Sequence, residues 1–171
     1  MRHMNDMLAG LLPSAEPTSP DVGTIWIDAR TDEVLVWDGT YWRVGELIRV
    51  ETVLAVGAAP VANVDLGWNV PANYAVVKAA LRLLKTLTGA GGCVLVGLGI
   101  GGNTGKYSDT ASLAAGQTCQ IVNPTWNDGT GEDIKVYAES AINTPNGTIE
   151  GSVADDIRVL VWMRQPVVLP S

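Results

Sequence analysis

The sequence predicts an all-β protein: a small three-stranded β-meander, then a larger β-sandwich, with an extended arm in front. Short runs of Val, Ile and Leu recur along the chain, separated by clusters of Gly, Asn, Asp, Ser and Thr. Asp38-Gly39, Asp128-Gly129 and Asn146-Gly147 stand as turn dipeptides between such runs. Glycine is abundant, at 19 of 171 residues, and charged residues are only 17%, against about a quarter in an average soluble protein. A hydrophobic fraction of 47% supplies a real core and excludes wholesale disorder.

Residues 1–20 read as an anchoring arm. Met4, Met7, Leu8, Leu11 and Leu12 recur at helical spacing, which allows a short amphipathic helix. Pro13, Pro17 and Pro20 then impose an extended strap. An apolar, proline-rich arm of this kind is expected to be held by another chain of an assembly. Arg2, His3 and Asp6 precede only a brief apolar run, Leu8–Leu12, so no secretory signal peptide is read here.

Residues 21–45 carry three short apolar runs, at Ile25–Ile27, Val34–Trp37 and Tyr41–Val44. Polar residues separate the first two, and Asp38-Gly39 turns the chain into the third. Trp26, Trp37 and Trp42 are large enough to give so small a sheet its own core. Residues 46–171 read as one β-rich domain, with strands expected at 47–56, 61–68, 74–87, 93–99, 118–123, 133–140 and 156–164. One segment is ambiguous. Lys78, Arg82 and Lys85 fall at i, i+4 and i+7, with Val77, Leu81 and Leu84 opposite, as on an amphipathic helix. A strand is favoured, because Pro71 and Gly89 bound the segment and Thr86-Leu87-Thr88 alternates at its end.

Gly23-Thr24-Ile25-Trp26-Ile27-Asp28, with Leu35-Val36-Trp37-Asp38-Gly39 and Trp42, resembles a short Trp-rich module of tail-fibre and other virion proteins of tailed bacteriophages. Gly67-Trp68-Asn69-Val70-Pro71-Ala72, Val94-Leu95-Val96-Gly97, Leu113–Thr118 and Ile157–Arg164 follow in an order similar to the C-terminal jelly-roll modules of phage fibre and capsid-decoration proteins. These resemblances imply a jelly-roll-like sandwich and a homotrimer. They also imply a non-enzymatic role at the particle surface, as a tail-fibre or adhesion component or a capsid decoration (cement) protein. Other virion proteins would be met through the arm, and host-surface glycan through exposed loops.

Chemistry-bearing motifs are thin. Gly97–Gly102 satisfies G-x-G-x-x-G after an apolar run, but Asn103-Thr104-Gly105-Lys106 opens no helix to face a pyrophosphate. Close backbone approach or a flexible loop explains the glycines better. No cofactor is expected. His3 is the single histidine and lies in the arm, which disfavours a catalytic triad or a histidine-ligated zinc. Cys93 and Cys119 match no metal or redox spacing and read as buried free thiols. Asp128, Glu132 and Asp133 share a Gly-rich loop without EF-hand spacing, so no metal is assigned. Opposed carboxylates of a glycosidase are the remote enzymatic alternative. The net charge of -7, with basic residues scattered singly, argues against nucleic acid. The longest apolar stretches, such as Val53–Val64, are broken well short of the ~18 residues of a membrane span. Trp126 at an expected loop tip, with Asn127, Asp128 and Tyr107, is the expected receptor contact. Trp68 and Tyr137 are further aromatics able to stack on a sugar where exposed.

Overall fold

The structure is a computed structural model. It describes residues 16–28, 31, 33–45, 47–72, 74–101, 103–107, 110–121, 125–126, 132–141 and 144–164. The chain divides into two units, Met1–Val50 and Glu51–Ser171. The described residues contain no helix. The arm residues Met4, Met7, Leu8, Leu11 and Leu12 lie outside the described set.

In the first unit, β1 (Ile25–Asp28), β2 (Glu33–Trp37), β3 (Trp42–Val44) and the start of β4 (Leu47–Leu54) form an antiparallel meander. Its register places Trp26 opposite Leu35 and Trp37 opposite Trp42. Strand alternation therefore puts the large side chains on one face. Trp26, Leu35 and Trp42 are buried there, with Trp37 and Val44 packed against them. The Trp42 ring centroid lies 5.5 Å from that of Trp26 and 5.4 Å from that of Trp37 in tilted, edge-on contacts. The Asp38-Gly39 turn is held by the Asp38 carboxylate, which accepts from the amides of Thr40 (2.8 Å) and Tyr41 (2.7 Å). Gly39 takes φ +101°, a conformation that costs a side-chain-bearing residue.

The second unit is built from antiparallel sheets consistent with a β-sandwich. Its strands are β5 (Asn63–Val70), β6 (Ala75–Leu83), β7 (Thr88–Ala90), β8 (Leu95–Gly99), β9 (Ala111–Ser112), β10 (Thr118–Ile121), β11 (Thr125–Trp126), β12 (Glu132–Ala141), β13 (Thr144–Pro145), β14 (Thr148–Glu150) and β15 (Ile157–Arg164). One sheet runs β15-β6-β10, with β11 also on β6. The other centres on β12, which carries β8 along one side and β5 and β13 along the other.

The ambiguous segment is strand β6. Ala79, Leu81 and Leu83 are buried in alternation, while Arg82 is exposed. Period-two burial against β15 and β10 overrides the helical spacing, because every second residue meets a neighbouring strand. Lys78 remains with its ammonium 4.2 Å from the centre of the Trp162 ring.

A buried carboxylate closes the last turn of this unit. Asp156 accepts hydrogen bonds from the amides of Val56 and Ser152, both at 2.8 Å, and from Ser152 Oγ at 2.6 Å. Lys85 stands 3.9 Å away. Burial pushes the carboxyl up, but the Ser152 hydroxyl, the two amides and Lys85 together outweigh it and hold it below its usual range. Between the lowered native value and the ordinary ~3.9 the unfolded chain binds more protons, so stability rises with pH. The contribution is complete above the ordinary value and is lost as pH falls through the native one. Asp156→Asn is expected to cost about 1–3 kcal/mol at neutral pH, since it disrupts acceptors of buried donors. Urea denaturation should show the gap to wild type closing below pH ~4; a gap independent of pH would refute the assignment.

Candidate functional site

The glycine-rich run is explained by packing within the chain. A Cβ on Gly97 would lie 2.8 Å from the Glu139 carboxylate, and one on Gly99 would lie 2.2 Å from the Asn103 carbonyl oxygen. Glu139 is fully buried on β12 and accepts a hydrogen bond from Thr104 Oγ1. The turn after β8 is thus pressed onto the sheet, and glycine is the residue that fits beneath it.

The same turn removes one expected receptor residue. Tyr107 is completely buried, with its amide donating to the Leu98 carbonyl at 2.8 Å. With the side chain fully enclosed, it presents no surface to a receptor. Thr125 and Trp126 form a short strand on β6, opposite Val76 and Ala75, instead of a loop tip. The Trp126 side chain, and Asn127 and Asp128 altogether, lie outside the described residues. Cys93 and Cys119 are buried thiols, and burial pushes the Cys93 thiol up.

In the first unit the face that carries the tryptophans also holds a buried ion pair. Arg49 on β4 lies 2.6 Å from the Asp28 carboxylate and 3.3 Å from Glu33, with its guanidinium 5.5 Å from the centre of the Trp26 ring. The strap is described from residue 16. Glu16 accepts from the Trp42 indole at 2.9 Å. Glu16 to Pro20 line a cleft of about 490 Å³ with Trp37, Gly39 and Trp42.

A second cleft, of about 470 Å³, lies where β5 meets β12 and is lined by Asp65, Gly67, Trp68, Asn69 and Asp133. Its shape comes from a break in register. Asp133 pairs with Asn69 and Lys135 with Asp65, so two steps along β12 match four along β5. The extra residues surround Gly67, whose φ of +79° places it in the left-handed region. Its amide donates to Asp65 Oδ1 at 2.7 Å. Such a bulge re-aims its neighbours. Trp68 falls between buried Leu66 and Val70 in the alternation, yet it is partly exposed and faces the cleft. Its indole donates to Thr52 Oγ1 at 2.9 Å, which fixes the ring. Lys135 bridges the two acids, 2.9 Å from Asp133 and 3.4 Å from Asp65. The Gly67 amide, opposed by burial and supported by Lys135, holds the Asp65 carboxyl below its usual range. The Asp133 hydrogen bond raises Lys135.

Of the aromatics read from sequence as able to stack on a sugar, and among the described residues, Trp68 lines a cleft with polar partners. Sequence reading missed Asp65 and Asn69 as its companions; the signal was Gly67, a glycine inside a strand pattern, which marks a bulge. It also missed Arg49, Asp28 and Glu139. Arg49 and Glu139 interrupt apolar runs and Asp28 ends one, and such charges are buried only when paired or hydrogen-bonded.

No family model matches the chain, and no curated protein matches it. Among solved structures it is similar to a chain of the capsid of Ralstonia phage GP4. The identity is 18% and the TM-score 0.49, over 72% of this chain and 87% of that one.

Proposed function

We propose that this chain is a non-enzymatic structural protein of a tailed-phage particle, a homotrimeric component of a short tail fibre or adhesion device. The observation that carries the reading is the Trp26–Leu35–Trp42 core of the meander. The residues that give the sequence its resemblance to the virion module are those that pack this core and its Asp38-Gly39 turn. Their chemistry is spent on architecture. The buried carboxylates point the same way: Asp28 faces Arg49, Glu139 takes the Thr104 hydroxyl, and Asp156 ties a turn. Sparse charge, 17% of residues, suits a chain that buries surface between subunits. In this reading the arm of residues 1–20 anchors the chain to other virion proteins, and the second unit faces outward as a jelly-roll-like sandwich.

The test is gold-labelled antibody against residues 51–171, applied to purified particles from lysates of cells expressing the gene in its phage. Label at tail tips is expected, together with a light-scattering mass three times the 18.0 kDa of the chain. Label on heads would reject the tail placement in favour of a decoration protein that clamps the shell through its arm. Unlabelled particles would reject the virion role, and a stable folded monomer would reject the trimer.

A further inference from the structure

The cleft between β5 and β12 combines an aromatic plate, two carboxylates and a carboxamide around one open space. We infer that it binds a neutral pyranoside, with the Trp68 ring against the apolar face of the sugar and Asp65, Asp133 and Asn69 taking its hydroxyls. The inference gives the adhesion reading a binding surface. It is tested on the isolated chain, so its failure would leave the particle test untouched.

Three observations select this ligand chemistry. First, the ring is fixed before any ligand arrives. Trp68 follows the Gly67 bulge, stays partly exposed and lines the cleft, and the Thr52 bond holds the indole by its nitrogen, leaving the ring to act by stacking. A fixed plate loses little side-chain entropy on binding.

Second, the carboxylates are positioned as acceptors. Asp65 is pinned by the Gly67 amide and by Lys135, and Asp133 by Lys135. Both side chains remain about half exposed, 51% and 46%, so their oxygens stay accessible to a ligand. A carboxylate accepts from sugar hydroxyls, and the Asn69 carboxamide both donates and accepts.

Third, charge sorts among ligands. Two carboxylates against one ammonium leave the cleft net negative, which disfavours phosphates, nucleic acid and acidic sugars. The Lys135 ammonium already stands between the two acids, where a cation would have to sit. The volume of about 470 Å³ falls within the range of small-ligand clefts. Its lining of two carboxylates, a carboxamide and one indole suits a hydroxyl-rich ligand.

Saturation-transfer NMR on the full chain tests the assignment, with lactose, cellobiose and N,N'-diacetylchitobiose as neutral probes and sialyllactose as the acidic one. Transfer to the ring protons of at least one neutral probe is expected, with weaker transfer to sialyllactose. Trp68→Ala should abolish it. Asp133→Asn and Asn69→Ala are at exposed positions that leave the fold intact; the first should weaken binding about tenfold or more, the scale of a lost hydrogen bond to a charged group, and the second about two- to tenfold, the scale of a neutral one. Val153→Ser, far along the chain and exposed, should leave it unchanged. Absence of transfer to all three neutral probes would overturn the inference. So would a preference for sialyllactose, or binding that survives both Asp133→Asn and Asn69→Ala.

Discussion

Replacing Arg49 by Ala is expected to destabilise the first unit by about 3–5 kcal/mol, the range for breaking one half of a buried ion pair. The side chains of Arg49 and Asp28 are only 2% and 1% exposed. The variant would take the Arg49 guanidinium away from the Asp28 carboxylate, 2.6 Å distant in the tryptophan face. It would also remove the planar group beside Trp26. Glu33 is less enclosed and would lose less. Denaturation of the full chain, followed by hydrogen exchange of the β1–β3 amides, localises the loss to the meander. The variant Asp28→Asn should lose stability as well, because it removes the nearer of the two carboxylates that face the guanidinium. Asp28→Asn combined with Arg49→Met removes both charges and should recover much of the stability. A single Arg49→Ala loss under about 1 kcal/mol would mean that the pair is solvated and does not hold the unit together.

The meander and the main strands of the second unit were legible because their signals are local. Period-two alternation and the Asp38-Gly39 and Asn146-Gly147 turns act within a few residues. β6 was harder, since Lys78, Arg82 and Lys85 satisfy a helical face as well as a strand face. Only the rows of β10 and β15 beside it decide, and they lie far along the chain. β7, β9, β11, β13 and β14 are two or three residues long and carry no period at all. The candidate site was legible in part. Trp68 was read as an aromatic able to stack, while its acidic partners come from two strands whose register is set by a bulge. Arg49 with Asp28, and Glu139 with Thr104, are pairings across long stretches of sequence, which no local pattern encodes.

The glycines at the end of β8 and just after it give the sharpest steric prediction. Gly99→Ala is expected to cost about 3 kcal/mol or more, at the upper end of overpacking effects. Its Cβ would meet backbone atoms, the Asn103 oxygen at 2.2 Å and the Thr104 carbonyl carbon and oxygen at 2.5 Å. Backbone cannot rotate aside as a side chain can, so the whole turn over β8 must lift, and Tyr107 and Thr104 must leave their buried places with it. Gly97→Ala meets the Glu139 carboxylate at 2.8 Å, the end of a side chain, and should cost less. Gly101→Ala meets nothing within 4 Å and should stay within about 0.5 kcal/mol of wild type. Thermal or urea unfolding of the three variants measures the order. It separates two explanations of one motif: packing requires Gly99 to be far more sensitive than Gly101, whereas a loop kept glycine-rich for flexibility would tolerate alanine at both. Equal losses at both positions would contradict the packing account. The predicted order would show that a run resembling a cofactor loop is a seat for a turn pressed onto a sheet.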